Sequence, residues 1–237
     1  MATDPSLHLL AIDWTALPAG VSDGMRFRQE ELTDLLRAAC DGGETEMVIL
    51  STRQRFQVYV AGAPRAAMRA VLRSLLDRAR GFTRLGQSRV IEASGVAAAR
   101  ELFRAATGLD SQLALGLRGL YAVTTAAALS AEIGVLGPHL AALCARANTV
   151  AWTAHHETEL GAPLLPSERR ELARYAVERI IEEQLLLWQA SYTDALPGYP
   201  SWAPPESEPA FQTEYPAAEI SSIVRIALPS GQRESVA

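Results

Sequence analysis

A chain of 237 residues with 49% apolar content is long enough for one domain plus an appendage, and apolar enough for a real core. Its net charge of −5 by itself argues against nucleic acid, and no apolar run approaches the roughly 18 residues of a membrane span. Cys40 and Cys144 lie far apart among apolar residues, no basic-then-apolar stretch opens the chain, and the expectation is a cytoplasmic protein with buried, reduced thiols and no metal.

His8-Leu9-Leu10-Ala11-Ile12 reads as a first strand, ending at Asp13-Trp14-Thr15. Phe27 to Ala39 has helical periodicity through Leu32, Leu35 and Leu36, and Asp41-Gly42-Gly43 closes it. Met47 to Ser51 and Phe56 to Val60 read as two strands around a polar corner. Ala66 to Ala79 reads as a helix with Met68, Val71, Leu72, Leu75 and Leu76 inward, and Arg89 to Ala93 as a fourth strand. Strand, helix, strand, strand, helix, strand is the ferredoxin-like pattern. The expected fold is therefore α+β, a four-stranded antiparallel sheet with two helices on one face.

The remainder reads as helical: Gly95 to Thr107, the Ala/Leu-rich residues 112–133, Gly137-Pro138 to about Glu159, and a last helix from Pro166-Ser167. That last helix carries Val177, Ile180, Ile181, Leu185 and Trp188 on one stripe. With no following domain to bury it, the stripe is expected to pair with a second copy of the chain. Residues 195–216 are rich in Pro, Glu and Ser and read as a tail, and Ala218 to Leu228 as one more strand or short helix.

The corner Ser51-Thr52-Arg53-Gln54-Arg55 brings two hydroxyls, two guanidiniums and an amide to one end of the sheet. Such a set can hold an anion or a small polar group and contains no good nucleophile. The chain has no lysine, and residues 53–104 hold eleven Arg against three acids, Asp77, Glu92 and Glu101. The acids gather in residues 156–208. A basic block inside an acidic chain is the footprint of a phosphate-rich partner. A solvated helix face in an arginine-preferring chain gives the same composition.

The corner resembles that of the glutamyl-tRNA reductases, which read Ser-Thr-Cys-Asn-Arg-Thr-Glu-hydrophobic-Tyr; Ser51, Thr52, Arg55 and Tyr59 match. Glu101-Leu102-Phe103-Arg104-Ala105-Ala106-Thr107-Gly108-Leu109-Asp110-Ser111 is similar to the family's His-Leu-Phe-Arg-Val-Ala-Ser-Gly-Leu-Asp-Ser. Gly134-Val135-Leu136-Gly137-Pro138 resembles Gly-Thr-Val-Gly-Pro, and Glu157-Thr158-Glu159-Leu160-Gly161 looks like the end of the family's long spinal helix. The family then inserts an NADPH domain. This chain goes on to Arg169-Arg170-Glu171-Leu172 and Ile180-Ile181-Glu182-Glu183, similar to the start of the family's dimerisation domain. The resemblance covers roughly residues 8–192. It implies a catalytic-domain-like unit at 1–136, spinal and dimerisation helices at 137–192, and a Pro-rich tail at 193–237.

The resemblance does not carry the reaction with it. The family's nucleophilic Cys is Arg53 here, and its catalytic His is Glu101. The Asn-His near the first strand reads Asp13-Trp14, the carboxylate after Gly-Leu-Asp-Ser is Gly116, and the Gln two residues on is Arg118. No Gly-x-Gly-x-x-Gly follows a strand, so no dinucleotide and no other cofactor is expected. Thioester reduction lacks both its thiolate and its hydride site. What is left is recognition of an aminoacyl-tRNA end. The aminoacyl ester is already activated, so positioning and a base suffice for an amine to attack it. The expected activity is transfer of the aminoacyl group from a charged tRNA to a small amine or hydroxylamine acceptor, as in the specialised metabolism of antibiotics, by a homodimer. Thr52, Arg55 and Ser111, with Ser51, hold the aminoacyl group; Arg53 or Arg118 polarises the ester or binds the acceptor; Glu101 is the base. The alternative is a non-catalytic, dimeric, reductase-like protein that binds charged tRNA or tunes tetrapyrrole supply.

Each residue also has a plain structural reading. Arg53 and Arg118 can pair with Asp13, Asp110 or Glu101. Thr52 and Ser111 can cap local backbone. Glu101 can be a surface residue at a helix start, and Trp14 a core or dimer contact. His155-His156-Glu157 is not a metal site on a helix, because adjacent side chains point about 100° apart.

Overall fold

The computed structural model describes residues 7–13, 27–40, 45–52, 55–62, 67–68, 70–71, 74, 89–109, 117–158 and 167–193. Four strands, β1 (Leu7–Asp13), β2 (Glu46–Ser51), β3 (Arg55–Ala61) and β4 (Arg89–Ser94), form one sheet in the order β2-β3-β1-β4. Every pairing is antiparallel. Leu9 stands between Tyr59 and Ala93, and Tyr59 in turn opposes Val48.

The sheet is covered on both faces, which explains the nearly unbroken apolar runs in its strands. Side chains alternate along a strand. Ile12, Met47, Ile49, Phe56, Val58 and Val60 take one face and pack with Leu35, Leu36 and Ala39 of helix α1 (Gln29–Ala39). Ala67 and Val71, from the second helix expected on this face, are buried on the same side; of the span 66–79 only 67–68, 70–71 and 74 fall among the described residues. Phe27, expected inside α1, lies before it and stacks on Phe56 at 6.0 Å. The Arg28 N–H next to it donates to Glu31 Oε2 at 2.6 Å, which starts the helix two residues later than periodicity suggests.

The other face of the sheet, with Leu7, Leu9, Ala11, Val48, Leu50 and Tyr59, is buried under four further helices. These are α2 (Val96–Thr107), α3 (Arg118–Ile133), α4 (Pro138–Glu157) and α5 (Ser167–Thr193). The first turn of α4 is held from the sheet: Glu46 Oε2 accepts the Leu140 N–H at 2.7 Å, and Glu46 Oε1 contacts His139 Nδ1 at 2.6 Å. Helix α3 begins at Arg118, and residues 112–116, read as part of it, lie outside the described residues.

The stripe on α5 overturns one expectation. Ala173, Val177, Ile181, Leu185 and Trp188 are buried in the core of their own chain, in one cluster with α2, α3 and α4. The helix folds back along its own domain, so the stripe does not wait for a second copy. Polar ties fix it there: Arg100 Nη2 donates to Glu182 Oε2 at 3.0 Å, and Arg174 Nη2 to the Leu109 carbonyl at 3.1 Å. The exposed apolar residues of α5 are others, Leu172, Tyr175, Leu186 and Leu187. Among the described residues no helix is long and apolar enough to cross a membrane. The tail from 194 onward, with the strand or helix read at 218–228, lies outside the described residues.

Candidate functional site

The corner between β2 and β3 is closed by Thr52. Its N–H donates to the Arg55 carbonyl at 2.9 Å, and its Oγ1 both donates to that carbonyl at 3.1 Å and accepts the Arg55 N–H at 3.0 Å. A hydroxyl can do both at once. Thr52 therefore clasps the turn, as its plain structural reading has it.

The clasp presents Arg55 at the end of β3 on the face covered by α2. Register puts Asp13 of β1 directly opposite. Arg55 Nε lies 3.4 Å from Asp13 Oδ2, and Arg55 Nη1 lies 3.5 Å from Glu101 Oε2 on α2. All three side chains are largely buried, between 16 and 20% exposed. Glu101 Oε1 lies 4.0 Å from Arg104 Nε, one turn along the helix, and Arg104 Nη1 pairs with Glu178 on α5. The result is a chain of alternating charge, Asp13–Arg55–Glu101–Arg104–Glu178, from the sheet corner to the last helix. Opposite charges at these spacings in a partly buried setting hold one another in place.

Of the residues singled out by sequence, the structure brings Thr52, Arg55 and Glu101 together. Ser51 is the register partner of Phe56 and shares its face, the one opposite Arg55. Its Oγ is buried with no hydrogen-bond partner among the described residues. Arg118 is exposed in the first turn of α3. Arg53 and Ser111 lie outside the described residues, as does Trp14. Three described members of the basic block, Arg55, Arg100 and Arg104, pair with carboxylates. The sequence reading missed Arg104 and Glu178 as participants. It also missed Gln57, which is 2% exposed and two residues from Arg55 on the same face. Strand alternation from Arg55 is the signal that finds it.

Neither thiol replaces the missing nucleophile. Burial pushes the Cys144 thiol up to about 12, with the Glu46 charge adding to it, and burial pushes Cys40 up to about 11. His156 turns Nδ1 to the Trp152 carbonyl at 2.9 Å and lies tilted against the Trp152 ring at 5.1 Å, and among the described residues no three His, Cys, Asp or Glu gather as for a metal.

The chain is similar to known proteins over most of its described length. The family profile described as glutamyl-tRNAGlu reductase, N-terminal domain, matches residues 10–158. A glutamyl-tRNA reductase of Saccharophagus degradans is 30% identical over 158 residues, which are 66% of this chain and 36% of that protein. One from Stenotrophomonas maltophilia is 28% identical over 191 residues, 79% of this chain and 43% of that protein. The solved glutamyl-tRNA reductase of Methanopyrus kandleri is 25% identical at a TM-score of 0.46, over 65% of this chain and 35% of that one. This chain thus spans less than half the length of each of these relatives.

Proposed function

The chain belongs to the glutamyl-tRNA reductase family through that family's N-terminal domain, and on that premise we propose that it binds the aminoacyl end of a charged tRNA without carrying out reduction. The observation that carries this reading is the Asp13–Arg55–Glu101 cluster at the sheet corner. It keeps the corner's polar, partly buried character where the resemblance puts a catalytic His, at Glu101, and it supplies no nucleophile. Cys144 is buried and Cys40 half-buried, and burial holds both thiols far from the ionised form that thioester chemistry needs. The ferredoxin-like reading of the sheet agrees with its strand order, and sets Thr52 and Arg55 at one end of it.

Aminoacyl transfer to an amine is the less supported reading. It needs Glu101 to take a proton from the incoming amine. Both Glu101 oxygens instead face guanidiniums, Arg55 on one side and Arg104 on the other. A dimer remains part of the proposal, through the outward face of α5 with Leu172, Tyr175 and Leu186 rather than through the buried stripe.

The test is binding of the purified protein to a panel of charged and uncharged tRNAs at two salt concentrations. A preference for a charged tRNA over its uncharged form, lost in Arg55→Ala, supports the reading. Equal and steeply salt-dependent binding to all of them overturns it.

A further inference from the structure

Gln57 is the one amide side chain buried in the sheet among the described residues, and its Nε2 is buried with no hydrogen-bond partner. A buried amide donor without an acceptor costs folding free energy that an apolar residue at the same place would not. The neighbourhood offers apolar alternatives, since Ala11 and Leu50 flank Gln57 on β1 and β2 and Tyr59 follows it on the same face. The other buried polar residues differ in kind. Thr107 bonds its own helix at 3.0 Å, and Ser130, whose Oγ also lacks a partner among the described residues, is a small hydroxyl on α3 rather than an amide in the sheet.

Position gives the orphan donor a use. Gln57 follows Arg55 by two residues, about 7 Å along the strand, on the same face. The Ala11–Gln57 pair is the row immediately inside the Asp13–Arg55 pair. A group that enters at the corner past Arg55 therefore meets Gln57 next. An amide N–H in a dry place takes an oxygen acceptor and gains nothing from a methyl group.

We propose that Gln57 is a specificity-determining residue of this site: its Nε2–H donates to an oxygen on the side chain of the bound aminoacyl group. The site then takes an oxygen-bearing aminoacyl group over an aliphatic one of similar size. This rests on the aminoacyl-end reading above and names the class of group that the site accepts. A site built around a hydrogen bond rejects analogues lacking the oxygen more strongly than an apolar pocket rejects one extra hydroxyl.

The experiment compares the wild-type chain with Gln57→Met and Gln57→Leu. Each is titrated with tRNAs charged with oxygen-bearing residues (Ser, Thr, Asn, Gln, Asp, Glu) and with aliphatic ones (Ala, Val, Leu), and with the same tRNAs uncharged. The readout is the ratio of charged to uncharged affinity. Wild type is expected to favour at least one oxygen-bearing group over its aliphatic counterpart by about tenfold or more. Both variants are expected to lose that advantage while melting no lower than wild type, because they remove an unsatisfied donor. Discrimination retained in the variants overturns the proposal and leaves the aminoacyl reading standing. An equal loss for every charged tRNA also overturns it, since the amide would then read the ester common to all. A wild type blind to charging removes both readings at once. Failure of both variants to fold would make Gln57 a structural residue and overturn the assignment.

Discussion

Glu101 Oε2 lies 3.5 Å from Arg55 Nη1, which ties α2 to the end of β3 across a stretch of chain that includes β4. Both side chains are about four-fifths buried, so each is the other's charge partner in a place with little water. Removing one partner strands the other. Glu101→Gln is expected to destabilise the fold by about 1–3 kcal/mol in urea unfolding. A double-mutant cycle with Arg55→Ala should show coupling; strict additivity would mean that the pair contributes nothing.

Gly119 provides a sharper test of how α3 meets α2. A Cβ at this position would sit 2.1 Å from the Ala105 carbonyl oxygen and 2.6 Å from that of Ala106. On an open helix, Gly→Ala stabilises by about 1 kcal/mol. Here the clash is with backbone and cannot be relieved by a rotamer. Gly119→Ala is expected to cost about 3 kcal/mol, and a rise in melting temperature would show that α3 does not pack as described.

Glu46→Ala should loosen the start of α4. The carboxylate accepts the His139 N–H at 3.2 Å and the Leu140 N–H at 2.7 Å, two donors that the helix cannot satisfy itself. The expected loss is about 1–2 kcal/mol, accompanied by faster hydrogen exchange at these two amides. Unchanged exchange there would contradict the capping role.

Alkaline pH should weaken the fold through Cys144. Its ordinary value of 9.0 applies to the unfolded chain, while burial pushes the folded thiol up to about 12. Below pH 9 both states hold the proton and nothing changes. Above it the unfolded state releases the proton first, so stability falls as pH rises, by up to about 1.4 kcal/mol per pH unit. Cys144→Ala should flatten the slope measured between pH 9 and 10.5, and an unchanged slope would assign the effect elsewhere.

The two faces of α5 are expected to separate cleanly. Trp188 is 7% exposed within the core, so Trp188→Ala should cost about 3–5 kcal/mol in the isolated chain. Leu186 is 66% exposed, and Leu186→Glu should change stability by no more than about 0.5 kcal/mol while weakening self-association in sedimentation. Equal stability losses from both would place Leu186 in the fold itself.

The strands and helices were legible because period and punctuation agree. Gly95, Gly108 and Gly134 take positive φ at 55°, 75° and 84° where helices begin or end, and Pro138 opens α4. What periodicity cannot give is the identity of the surface that a stripe meets. The α5 stripe was visible, yet only the packing of α2 and α4 shows that it faces inward. The corner was legible in the same partial way. Ser-Thr-x-x-Arg names the residues, but alternation sends Ser51 to one face and Arg55 to the other. Arg55's partners come from β1 and α2, which no local pattern joins to it.

The sheet order also sets a sequence of events. Of the four described strands β1 is made first, yet it ends in the middle of the sheet with β3 and β4 on its two sides. It cannot acquire its second neighbour until Ser94 has been made, so the growing chain holds a bare, strongly apolar strand edge until then. The seam between β1 and β4 is the last to close, and a nascent chain stalled before Arg89 is the form most exposed to pairing with a neighbour.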